Sequence, residues 1–116
     1  MKSISEQKAR EIAVECIKFA DQLNEHKQYV LARQLARSAT SIGANLIEAR
    51  YAESKKDFIH KMKIAEKEAS ETFYWLEIIQ DALALSPPNN VQQKLVECRR
   101  IIASIILKAK ANLNES

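Results

Sequence analysis

The sequence predicts an all-α protein that folds as an antiparallel, up-down-up-down four-helix bundle, with a single domain over residues 1–116. Apolar residues recur three and four positions apart in four successive segments, which is the spacing of one face of an α-helix. The chain contains one glycine and two prolines, too few for the many tight turns of a β-rich fold. The connections between the segments are short, so consecutive helices are expected to run antiparallel.

The first two helices are predicted over residues 5–24 and 28–51. Ser3 and Glu6 have the spacing of a capping box, so the first helix can start slightly earlier. The second helix is rich in small residues, and Gly43 in its middle costs about 1 kcal/mol relative to alanine. We interpret this glycine as a position where a neighbouring helix packs closely. The predicted core positions are Ile12, Cys16, Phe19 and Leu23 in the first helix, and Leu31, Leu35, Ser38, Ile42, Asn45 or Leu46, and Ala49 in the second.

The third and fourth helices are predicted from their apolar patterns and their ends. Ser54 is a candidate N-cap, and Asp57 places an acidic residue in the first turn. The third helix is expected to reach Leu85, where the Ser-Pro-Pro run at 86–88 stops it. Asn89 or Asn90 is expected to cap the fourth helix. The core positions are Phe58, Met62, Ala65, Ala69, Thr72, Leu76, Ile79 and Leu83, then Val91, Leu95, Cys98, Ile102, Ile105, Ala109 and Leu113 or Asn112.

Both of these helices carry more apolar residues than one stripe needs. One interpretation is a wide core face, which is common in globular helices. The other is a second apolar face that packs against another subunit. The surplus residues are Ile59, Phe73, Tyr74, Trp75 and Ile78 in the third helix, and Ile101 and Ile106 in the fourth.

Composition places the chain among globular proteins, with 47% hydrophobic and 28% charged residues and a net charge of +3. The first residues lack the apolar core of a secretory signal, and no run approaches the ~20 apolar residues of a membrane span. We therefore expect a cytoplasmic protein without membrane contact. Cys16 and Cys98 are far apart and form no metal-binding pair, so they are expected to pack as small hydrophobic residues.

Residues that could support catalysis are sparse, and we expect no enzyme activity, cofactor or metal. Asp57 and His60 form one carboxylate–histidine pair on a helix, whereas di-iron bundles need two such pairs. The most enzyme-like feature is the acidic run at 66, 68 and 71, of which only Glu68 and Glu71 share a helix face. These two carboxylates leave open a less favoured alternative, a metal-dependent nuclease.

Basic residues in three of the helices are candidates for contacts to nucleic-acid phosphates. No known recognition motif accompanies them, so ordinary solubilising charge is the alternative interpretation. The candidates are Arg33 in the second helix, Lys55 and Lys56 at the start of the third, and Arg99, Arg100, Lys108 and Lys110 in the fourth.

Two stretches carry a family resemblance. One is QLARSATSIGANLIEA at 34–49, and the other runs from Asp57-Phe58 through IAEKEA at 64–69 to Glu71-Thr72 and Trp75-Leu76. Together they resemble the four-helix-bundle proteins encoded in intervening sequences of bacterial 23S ribosomal RNA genes, and the related accessory variability determinant of diversity-generating retroelements. The resemblance implies a ring-like homopentamer without known catalysis. It also implies a possible partner such as a reverse transcriptase, and contact with RNA or DNA through a positive surface.

The first stretch also places a polar row on one face of the second helix, at Arg37, Ser41, Asn45 and Glu48. We expect this row to meet Glu68 or Glu71 of the third helix in a buried or interfacial network, with Arg37 paired to Glu71. Such a network would set the register of the helices more than it would add stability.

The leading functional prediction is a non-enzymatic oligomeric bundle that binds RNA, DNA or a nucleic-acid enzyme through basic patches. A protein-interaction scaffold without a nucleic-acid role is the alternative.

Overall fold

The computed structural model describes residues 3–88 and 90–115, with side chains through position 113, and these form four helices. They are α1 (Ile4–Glu25), α2 (Tyr29–Arg50), α3 (Lys55–Leu83) and α4 (Val91–Glu115). Each helix packs against two neighbours in the cyclic order α1, α2, α3, α4, which is the predicted four-helix bundle. The bundle measures 52 × 23 × 21 Å. Over the described residues, no helix combines the length and apolar character needed to cross a membrane.

The helix ends follow local capping chemistry. The predicted capping box at the start of α1 is present, because Ser3 Oγ accepts from the Glu6 amide and the Glu6 carboxylate accepts from the Ser3 amide. Ser54 caps α3 by accepting a hydrogen bond from the Asp57 amide at 3.0 Å. The side chains predicted to start these helices therefore do so.

The end of α3 differs from the prediction. The helix stops at Leu83 and not at Leu85, because Ala84 adopts a left-handed conformation with φ of 57° and its amide closes the last turn on Gln80. Asn90, at φ 67°, precedes α4, and its carbonyl accepts from the Lys94 amide at 2.8 Å. The other candidate cap, Asn89, lies outside the described residues.

The core is built largely from the predicted stripes. Residues at the outer ends of three stripes are only partly buried, because the bundle offers fewer neighbours there. The side chains that are less than 2% exposed and largest in volume are Phe19, Ile12, Leu23, Leu35, Ile42, Leu76, Ile79, Leu95, Ile102, Val91, Thr72 and Cys16.

For two of the surplus apolar residues on α3 and α4, the interpretation as a wide core face is confirmed. Ile59 is 8% exposed and Ile106 is 5% exposed, so both belong to the core of the protomer. Phe73 and Trp75 pack partly against that core, whereas Tyr74 is 53% exposed. Leu107 of α4 is 70% exposed, and further exposed apolar side chains lie on α1 and α2, namely Ile4, Val14, Ile17, Tyr29, Val30 and Ile47.

Gly43 lies where α1 and α2 approach each other. A Cβ atom built at this position would lie 3.6 Å from the Ala9 Cβ, which is ordinary van der Waals contact. Gly43→Ala is therefore expected to raise the free energy of unfolding by about 0.5–1 kcal/mol, because alanine lowers the entropic cost of the helix without a clash. Urea denaturation measures the change. The matched control is Ala44→Gly, an exposed neighbour that should lose a similar amount. A loss of stability in Gly43→Ala would show that α1 and α2 cannot accept the methyl group.

Candidate nucleic-acid interface

The seven predicted phosphate-binding residues are all exposed, but they do not form one surface. Arg33 borders a groove between α1 and α2, together with Ile17 and Tyr29. Lys55 and Lys56 lie in the first turn of α3. On α4, position 108 points about 180° from position 99 and about 200° from position 110, so Lys108 lies on the other side of the helix from Arg99 and Lys110.

The remaining three, Arg99, Arg100 and Lys110, lie on the side of α4 that faces α3. The two arginines and Glu66 of α3 line a groove of about 310 Å³. The apolar residues Val96 and Ala103 of α4 also line this groove. Lys110 also lies within the electrostatic field of Glu66. The groove therefore joins predicted residues of α4 to a part of α3 that was not predicted as a nucleic-acid site.

Lys63 is the residue of α3 that the sequence interpretation missed. Its ammonium group lies beside that of Lys110, and this neighbouring positive charge lowers the pKa of Lys110. Lys67 follows Lys63 by one helical turn and is also exposed. We define the basic ridge as Lys63 and Lys67 of α3 with Arg99, Arg100 and Lys110 of α4.

The cations of the basic ridge form no ion pair with another described side chain. Two carboxylates lie near them: Glu66 lines their groove, and Glu97 lies within the electrostatic field of Arg100. Like charges held together without ion-pair partners favour the binding of an anion. The ridge differs from other exposed basic residues in that two packed helices bring Lys63 and Lys110 together.

The seam between α1 and α4 shows the contrasting arrangement. Lys8 pairs with Glu97 at 2.7 Å, and Lys94 pairs with Glu15 at 3.0 Å and with Glu11 at 3.3 Å. Hydrogen bonds to these carboxylates raise the pKa of both lysines, and the bond from Lys8 lowers the pKa of Glu97. These cations already have partners within the bundle.

A polar cluster joins α2 to α3, and it contains the expected pair of Arg37 and Glu71. The Arg37 guanidinium also donates to Glu68 Oε2 at 3.1 Å, so one cation serves two carboxylates. Trp75 Nε1 donates to Glu71 Oε1 at 3.3 Å. Beneath the cluster, the hydroxyls of Ser38 and Thr72 lie 2.9 Å apart in the core.

The rest of the predicted polar row does not reach these carboxylates. The Asn45 amide donates to the Ser41 carbonyl of its own helix at 2.8 Å, and Glu48 pairs with Lys61 at 3.1 Å. The reason is the antiparallel register: position 48 lies about 16 Å along α2 from Arg37, level with the N-terminal half of α3.

The carboxylates and thiols that could support catalysis are ion-paired or buried within the bundle. Glu68 and Glu71 are engaged by Arg37, and over the described residues no three His, Cys, Asp or Glu side chains gather as a metal site. Burial raises the pKa of Cys16 to about 12 and that of Cys98 to about 11, so neither forms a reactive thiolate near neutral pH.

The fold and this surface indicate the class of protein: a four-helix bundle with a basic ridge whose side chains form no ion pairs with other described side chains. The profile of the 23S rRNA-intervening sequence proteins matches residues 1–106, and the chain belongs to this family. A similar solved structure is a protein of unknown function from the S23 ribosomal protein family of Bacteroides thetaiotaomicron, at 38% identity and a TM-score of 0.83. The likeness covers 89% of this chain and 98% of that one. No match was found among curated proteins.

Proposed function

We propose that the protein is a non-enzymatic oligomeric bundle that binds RNA or DNA through the basic ridge, either directly or within a complex with a nucleic-acid enzyme. The observation that carries this proposal is the juxtaposition of Lys63 and Lys110 where α3 packs on α4, on the same side of the bundle as the groove lined by Arg99 and Arg100. None of the four forms an ion pair with another described side chain. A phosphate bound there would relieve the repulsion between the two ammonium groups and release its counterions.

The oligomer is proposed from an apolar surface between α1 and α2. Ile17 and Ile47 are 44% and 47% exposed and border grooves between the two helices, and the small residues Gly43 and Ala44 beside Ile47 would let another helix approach closely. Exposed apolar groups that share a face are typical of subunit contacts. A homopentamer is the state that the family resemblance suggests. In such an assembly, the basic ridge on α3 and α4 would lie on different helices from the contact surface.

The proposal is tested by titrating a fluorescein-labelled single-stranded RNA with the purified protein over a series of salt concentrations. We expect binding at low salt whose affinity falls as salt rises, with a logarithmic slope of about −0.7 for each phosphate contacted. Lys63→Glu/Lys110→Glu should weaken binding at least about tenfold, since each reversal replaces an attraction by a repulsion.

The matched control is Lys18→Glu/Lys27→Glu, which changes the net charge equally at exposed positions away from the ridge. Light scattering on all samples measures whether the oligomer is retained. Equal weakening by both pairs would show that only net charge matters. A stable oligomer that binds no RNA at low salt would overturn the nucleic-acid role and favour the scaffold alternative.

A further inference from the structure

We infer that the basic ridge continues into Tyr74 of α3, and that the combined surface binds single-stranded nucleic acid by stacking a base on this ring. The inference rests on the proposed function and goes beyond it, because it specifies single strands over duplexes. The shared chemistry is a phosphodiester chain with an unpaired base, which both RNA and DNA supply.

The position of Tyr74 follows from the spacing of α3. Lys56, Lys63, Lys67 and Tyr74 are separated by 7, 4 and 7 residues, so they lie along one outward row of the helix, and all four are exposed. Lys63 and Tyr74 are about 16 Å apart along the axis. Phosphates that follow the lysines would bring a base to the tyrosine.

The charge of the row reverses beyond Tyr74. Glu77 and Asp81 follow at steps of 3 and 4 residues on the same side of α3, and both are exposed. Because carboxylates repel a phosphate chain, the favourable part of the row ends at the tyrosine. An aromatic ring at the end of a positive row is the combination with which single strands are bound without sequence preference.

The Tyr74 ring contacts one neighbouring ring and is open to solvent. It makes an edge contact with Trp75, with 5.3 Å between ring centroids and 64° between the ring planes. Trp75 is itself held by its packing against the core and by its hydrogen bond to Glu71. At 53% exposure, Tyr74 can stack with a ligand while losing little conformational freedom.

The other two tyrosines lack this combination. Tyr51 is 75% exposed, but its ring is already contacted by the Arg50 guanidinium at 5.4 Å from the centroid. Tyr29 is 56% exposed and borders the groove between α1 and α2, away from the basic ridge. Tyr29 is therefore a matched control for Tyr74 in residue type and exposure.

The experiment compares a single-stranded RNA, the DNA strand of the same sequence and the corresponding RNA duplex as ligands in the same titration. Tyr74→Ala should weaken binding to both single strands at least about fivefold, since base–aromatic stacking contributes on that scale. It should change duplex binding less than about twofold, because paired bases are stacked on each other. Tyr74→Phe, which keeps the ring, and Tyr29→Ala should both bind as the wild type does.

The outcomes separate this inference from the proposed function. If the wild type binds none of the three ligands, the proposed function fails. The stacking inference alone is overturned if the wild type binds but Tyr74→Ala weakens the binding of single strands and of the duplex equally. It is also overturned if Tyr74→Ala weakens the binding of neither ligand. Dissociation of the oligomer by Tyr74→Ala, measured by light scattering, would also overturn it and identify Tyr74 as a subunit contact.

Discussion

Phe19→Ala is expected to lower the free energy of unfolding by about 3–5 kcal/mol. Phe19 is 1% exposed and is the largest fully buried side chain of the described core. Its removal loses the transfer free energy of an aromatic ring and leaves a cavity that the neighbouring helices can close only in part. Since domains of this size are stable by about 5–15 kcal/mol, the variant should be close to unfolding at ambient temperature.

Urea denaturation followed by far-UV circular dichroism measures this loss. The neighbouring residue Lys18 is exposed, and Lys18→Ala should change the free energy of unfolding by less than about 0.5 kcal/mol. If Phe19→Ala cost no more than Lys18→Ala, the α1 stripe would not be the core of the protein in solution.

The fold was predictable because helix periodicity reports which side of each helix meets its neighbours. The α1 stripe of Ile12, Cys16, Phe19 and Leu23 is buried without exception. Ile59 and Ile106 were predicted beside the stripes and not within them. They are buried because each lies seven residues, or two helical turns, from a residue that lines the groove between α3 and α4, namely Glu66 for Ile59 and Arg99 for Ile106.

The candidate site was less predictable because it depends on the register between helices. The type and position of Arg37 and Glu71 were sufficient to predict their pairing, since both lie on the facing sides of consecutive helices. Lys63 and Lys110 are 47 residues apart in sequence, and nothing in either helix indicates that their side chains meet. Only the packing of α3 on α4 brings them together.

Arg37→Met is expected to lower the free energy of unfolding by about 1–2 kcal/mol, although it adds an apolar side chain to α2. The Glu68 side chain is 10% exposed and that of Glu71 is 32% exposed, and both would lose the guanidinium that they share. A carboxylate left without its cation in a partly dry position is costly. The expected loss in the free energy of unfolding is smaller than for a fully buried ion pair, because the Arg37 side chain is 46% exposed.

The same cluster predicts a specific rescue. In Arg37→Met/Glu68→Gln/Glu71→Gln the carboxylates are neutral, so most of the stability lost in Arg37→Met should return, while Glu68→Gln/Glu71→Gln by itself should cost less than Arg37→Met. Urea denaturation of these variants measures the coupling, and light scattering measures the oligomer. If this triple variant recovers full stability but forms a different oligomer, the role of the cluster is to set helix register and assembly. An unchanged melting temperature and oligomer in Arg37→Met would refute any structural role for Arg37, because no other described cation forms an ion pair with Glu68 or Glu71.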